Sequence, residues 1–203
     1  MSKIRLTKNE LKGQKESLVR FRRYLPMLIL KKKQFQLEII KLYQAIKDLA
    51  GQTESLRNQV LRWVDVFAQE VPVEEFLKVA KIKTVTDNVA GIDIPVFSGV
   101  DFSEKEYDLL LTPLWVDSAI EALKETIILK AKMLIYHQQM EILKEELRIA
   151  TQRVNLFEKV KIPESKENIR VIQIYLGELQ TAGVVRGKIA KAKLERKKEL
   201  VNS

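Results

Sequence analysis

The chain has 203 residues, 46% of them apolar and 31% charged, with only seven glycines and five prolines, a profile that fits long helices and coiled coils rather than a loop-rich enzyme. It has no cysteine and a single histidine, which excludes disulfides, a thiolate nucleophile, Cys-based zinc sites and any His cluster. A formal charge of +9 calls for an acidic partner, whether nucleic acid, an anionic membrane surface or an acidic protein cavity.

Lys3, Arg5 and Lys8 open a basic amino end, but no apolar run follows them, and no stretch of eighteen or more uncharged apolar residues occurs. Neither a signal peptide nor a spanning helix is expected, and cytoplasmic folding is the natural default. From Leu11, alternating steps of three and four residues reach Gln14, Leu18, Phe21, Leu25, Leu28, Lys32, Phe35, Ile39, Leu42, Ile46, Leu49, Thr53, Leu56, Val60, Trp63 and Phe67. Fourteen of these seventeen positions are apolar, a heptad stripe that a partner helix buries by knobs-into-holes packing. At about 1.5 Å per residue the helix would be roughly 85 Å long, too long for a small globule. Pro26 lies inside the run, and because the stripe continues through it a kink is expected there and not an end.

Between Val71 and Pro113 the heptads vanish. Lys81 to Asp87 alternates in the manner of a strand, Asn88 to Gly91 supplies turn residues, and Ile92 to Phe97 follows, which together predict a β-hairpin with Pro95 at an edge. The alternative is an irregular loop. A lone two-stranded hairpin is marginal in water, so it is expected to lean on the helices or on a partner.

The same stepping resumes at Trp115 and runs through Ala119, Ala122, Thr126, Leu129, Met133, Tyr136, Met140, Leu143, Leu147, Ala150, Val154 and Phe157, twelve of thirteen being apolar. Pro163 predicts a break or kink near 161–163, after which Ile169, Ile172, Leu176, Leu179 and Ile189 mark a last, less regular helix. Arg186, Lys191, Arg196, Lys197 and Lys198 make its end basic. Two long stripes separated by a short middle bury one another if the chain doubles back, which also brings the two basic ends to the same tip.

The expected fold is therefore all-α: a long antiparallel two-helix coiled coil with a small central β-hairpin. Its expected parts are an N-terminal coiled-coil helix over 1–70, the hairpin and connecting segment over 71–114, and C-terminal coiled-coil helices over 115–203.

Gln152 to Pro163 reads Q-R-V-N-L-F-E-K-V-K-I-P and runs into E-N-I-R-V-I-Q-I-Y-L-G-E-L-Q. Together with T-K-N-E-L at 7–11 and V-A-G-I-D-I-P at 89–95, in this order and spacing, the chain resembles the D subunit of the V/A-type (vacuolar/archaeal-type) ATP synthases over nearly its whole length. Pro26, in Y-L-P-M-L-I-L-K-K-K, departs from many members of that family. The resemblance implies a central-stalk rotor shaft without catalytic residues, cofactor or metal of its own. It couples ATP synthesis or hydrolysis in a catalytic head to proton or sodium translocation through a membrane ring. Implied partners are the head subunits A and B, the small F subunit of the stalk and the ring-capping subunit (C/d), with no nucleic acid. The implied place is the cytoplasmic side of the membrane, as a peripheral part of the complex. Partner contacts are expected at the basic ends, at Arg153, Asn155, Phe157 and Glu158, and on the hairpin at Val89, Ile92 and Ile94.

Features that suggest an enzyme have simpler readings. His137 is expected on a partly exposed helix face, and paired carboxylates such as Glu145 and Glu146 are expected to be solvated. There is no G-x-x-x-x-G-K-[ST] phosphate loop. The rival function is a basic coiled-coil protein associated with nucleic acid, which lacks a recognition module here; a generic spacer would leave the R-V-N-L-F-E block unexplained.

Overall fold

The computed structural model describes residues 4–62, 76–105, 113 and 115–201, with side chains as far as residue 197. Trp63 and Phe67, the last two positions of the first stripe, lie outside the described residues, as do Lys3 and the side chain of Lys198. The elements are α1 (Lys8–Leu61), the strands β1 (Leu77–Val89) and β2 (Ile92–Glu104), α2 (Trp115–Asn155), a π-helical segment (Leu156–Lys161) and α3 (Ile162–Val201).

Helix α1 starts at a side-chain cap. Thr7 Oγ1 accepts a hydrogen bond from the Glu10 amide at 3.2 Å, supplying one of the amide partners that a helix start lacks, and Glu10 in turn accepts from the Gln14 side chain at 2.9 Å. The helix then runs 54 residues and passes through Pro26 without ending. Every described position of the first heptad stripe, from Leu11 to Val60, is buried or half-buried, including the polar Gln14, Lys32 and Thr53. A stripe covered at each repeat is what coiled-coil packing requires.

The chain forms two compact units, one of residues 1–30 and 151–203, the other of 31–150. In the second, a core cluster joins Phe35 of α1 with Leu143 and Ala150 of α2 and Ile94 of β2, and Phe35 and Leu143 are fully buried. In the first, Phe21 packs its ring 5.2 Å from that of Phe157, and Asn168 donates to Gln14 at 3.5 Å. Partners thus descend along the chain as α1 ascends, the signature of antiparallel helices. Beyond Asn168, α3 continues over 169–201, whereas α1 has only Lys8–Gly13 left before Gln14. Residues 183–197 therefore have no partner helix among the described residues, and each of them is exposed.

The hairpin is longer than the sequence pattern indicates, with 13 residues in each strand, because two bulges, between Val79 and Lys81 and between Lys83 and Thr84, carry the pairing past positions where the alternation fails. Its two-residue turn is Ala90-Gly91, with φ of 51° and 80°, the left-handed pair that suits the twist of a tight hairpin. Asn88 locks it: its Oδ1 accepts from the Gly91 amide at 2.9 Å and its Nδ2 donates to Asp93 at 2.7 Å.

Helix α2 carries two buried stripes. Besides the heptad one, Val116, Ile120, Ala131, Ile135 and Gln139 are buried along a second line. The hairpin lies over this second line. Gln139 Nε2 donates to the Pro95 carbonyl, Lys132 stands 5.6 Å from the Phe97 ring centroid, and Lys124 pairs with Glu104 at 2.5 Å. Counting from the Val89–Ile92 pair that closes the turn, Thr86–Pro95 is a non-hydrogen-bonded pair, so the missing proline donor costs the ladder nothing and the outward carbonyl is free for Gln139.

The helices do not break at Pro163. The ladder instead widens over Leu156–Lys161, where the Ile162 amide donates to the Phe157 carbonyl, and α3 begins beyond it.

Candidate partner-binding surfaces

No group of three or more His, Cys, Asp or Glu side chains among the described residues is placed to hold a metal ion, and His137 is exposed. A polar cleft of about 440 Å³ is lined by Arg5, Glu10, Gln14, Lys161, Ser165 and Asn168. Its charges offset each other, and Lys161 already pairs with Glu164 at 3.1 Å.

The hairpin residues expected at a partner surface are placed inward. Ile94 is 6% exposed in the core cluster, and Val89 and Ile92 pack against that cluster. Their apolar character serves the tie between the hairpin and the helices. What the hairpin presents outward is β1, exposed over 78–88, with Val79, Ile82 and Val85 among exposed lysines Lys78, Lys81 and Lys83. Lysines along an edge hinder pairing with another strand. The signal for this outward face lay in the alternation of Lys81 to Asp87, which gives period but not which side is covered.

Around the π segment, Arg153, Asn155 and Glu158 are exposed, as are Leu156 (44%) and Val160 (48%). Phe157 is half-buried against Phe21. At the basic ends Arg5, Lys8, Arg186, Lys191, Arg196 and Lys197 are all exposed, and Lys191 has only a 3.8 Å pairing with Glu195. Over 183–197 six cations, Arg186, Lys188, Lys191, Lys193, Arg196 and Lys197, face the single anion Glu195. A bare helix of this kind sets up a strong positive potential that one glutamate offsets only in small part.

Further along, the exposed helix faces are self-neutralised. Arg148 forks onto Glu145 at 2.6 and 2.9 Å, and Arg170 does the same to Glu167. In each pair the side-chain hydrogen bond from the arginine, aided by its charge, holds the glutamate below the usual carboxylate range. The positive end of α3, where six cations face one anion, and the exposed apolar strip of β1 thus stand out as surfaces among the described residues.

The sequence model of the family of ATP synthase D subunits matches residues 10–192. The chain belongs to this family. It is 46% identical over 197 residues to the D subunit of the V-type ATP synthase of Borreliella burgdorferi, covering 97% of this chain and 98% of that one. It is also 32% identical over 201 residues to the protein of the same name in Chlamydia caviae, with 98% and 97% covered, and equally to that of Chlamydia trachomatis serovar L2, with 98% and 99% covered. The matched span takes in α1, the hairpin, α2, the π segment and most of α3, so the likeness extends over every element described above. Among the described residues no helix is long and apolar enough to cross a membrane.

Proposed function

We propose that this chain is the rotor shaft in the central stalk of a V/A-type ATP synthase, coupling ATP synthesis or hydrolysis in the catalytic head to proton or sodium passage through the membrane ring while catalysing nothing itself. The observation that carries this reading is the heptad stripe of α1, covered at every described position from Leu11 to Val60 in a chain that belongs to the family of D subunits. A shaft has to resist twist, and closely packed cores deform little under load.

In this reading 1–70 and 115–203 form the shaft and 71–114 a hairpin module on it. The bare basic helix of 183–197, with Arg5 and Lys8, seats in head subunits A and B, where an acidic or dipole-lined wall favours it. The exposed residues Arg153, Asn155 and Glu158 and the outer face of β1 meet the small F subunit of the stalk or the ring-capping subunit (C/d). The assembly places the chain on the cytoplasmic side of the membrane, held there through other subunits.

Tagged chain expressed in its own cells and purified from native membranes is expected to bring down head subunits in stoichiometric amount; their absence would overturn the reading. Tight duplex binding with a steep salt dependence would favour a nucleic-acid role instead. In the assembled enzyme, Leu42→Asp breaches the stripe beside the core cluster, so ion-driven synthesis is expected to fall while ATP hydrolysis persists. Synthesis at the normal rate would count against load being carried through the stripe.

A further inference from the structure

The buried positions of α2 follow the heptad to its end: Met140, Leu143, Leu147, Ala150, Val154 and then Phe157 in the π segment are all buried or half-buried. Continued in the same steps, the repeat names Lys161, Glu164, Asn168, Val171 and Tyr175. Glu164, Val171 and Tyr175 are exposed. Lys161 and Asn168 stay half-buried beside them, but the deepest burial lies one place later than the repeat, with Ser165 at 4% and Ile172 at 0%, flanked by half-buried Ile162, Ile169 and Leu176. The slip of one residue falls within Leu156–Lys161, where the ladder is wider than in an α-helix.

An α-helix turns by about 100° per residue, so a one-residue surplus left in a plain α-helix would swing the whole downstream stripe by that angle. A π turn absorbs the surplus residue without moving the stripe. Phe157 against Phe21 and Asn168 against Gln14 lie on opposite sides of the widened turn, and both face α1.

We infer that Leu156–Lys161 is a one-residue insertion in the heptad repeat, stored as a π turn, that rephases α3 against α1 and leaves a joint more easily opened than the helix on either side. Removing one residue from it restores a continuous heptad: Val154, Phe157, Ile162, Ser165, Ile169, Ile172 and Leu176 then fall at regular three- and four-residue steps. A deletion within α2 does the opposite and turns a matched stripe out of phase.

Pro163 is the competing cause, because its ring crowds the carbonyl four residues back and it has no amide to donate. The test therefore uses the full chain in four forms: the parent, Pro163→Ala, Pro163→Ala with exposed Lys159 deleted, and Pro163→Ala with exposed Lys144 deleted. Thermal melting by circular dichroism and amide hydrogen exchange over 158–165 are the readouts. Pro163→Ala alone is expected to keep the fast exchange of the π turn. Deleting Lys159 is expected to raise protection there by about tenfold or more. Its melting temperature should stay within about 4 °C of the Pro163→Ala chain, whereas deleting Lys144 should lower it by more than about 10 °C. Equal losses for the two deletions, or full protection from Pro163→Ala alone, would overturn the inference.

Discussion

Phe35 is the point where the fold can be tested most sharply. Its ring is fully buried and meets two other elements through one cluster: Leu143 and Ala150 of α2, and Ile94 of β2. Phe35→Ala removes the ring and leaves a cavity among residues of two helices and a strand that close in only in part, and core truncations of this type cost about 3–5 kcal/mol. For a chain of this size each kcal/mol moves the midpoint by about 2–4 °C, so a fall of roughly 6–20 °C is expected in a circular dichroism melt. Because Ile94 belongs to the same cluster, Ile94→Ala should not be additive with it. A double-mutant cycle is expected to give a coupling of about 0.5–3 kcal/mol. A loss under about 1 kcal/mol for Phe35→Ala would mean that the stripe is not packed at this level. A coupling of zero would mean that the hairpin is not seated on the stripe.

Gln139→Leu keeps the side-chain size but leaves the Pro95 carbonyl without its donor, and faster amide exchange in β2 with little change in helix melting is the expected outcome, since an unmade buried hydrogen bond costs about 1–3 kcal/mol locally. Unchanged exchange would show that the tie does not hold the hairpin. Glu145 is held below the ordinary carboxylate range by Arg148, so this pair stabilises the fold above the unfolded pKa and loses that effect as pH falls through the lowered one. NMR titration should find the Glu145 midpoint raised in Arg148→Ala, with only a small effect on stability because both groups are exposed. Reversing Arg196, Lys197 and Lys198 to glutamate is expected to weaken head binding and coupling; unchanged binding would refute an electrostatic seat for this end.

How much was legible follows from what each signal encodes. The stripe from Leu11 to Val60 was readable residue by residue, because heptad period is local and a covered face needs only spacing. The turn residues around Asn88 to Gly91 likewise announced a hairpin, since Gly91 tolerates a φ of 80° and Asn88 can bond across the turn. Strand length was not readable, because bulges at Val79/Lys81 and Lys83/Thr84 break the alternation while the pairing goes on.

The sequence by itself determined two long helices, their antiparallel pairing and the central hairpin, because period and turn chemistry are properties of neighbours along the chain. Only the tertiary structure decided how the faces outside the heptad stripes were covered. It turned Val89, Ile92 and Ile94 inward, gave α2 a second buried line beneath the hairpin, and placed a wider turn just before Pro163, where a break or kink was expected. It also left 183–197 without a partner helix among the described residues. These outcomes depend on which distant segments meet and on how a one-residue mismatch between two stripes is absorbed, and no local pattern carries that information.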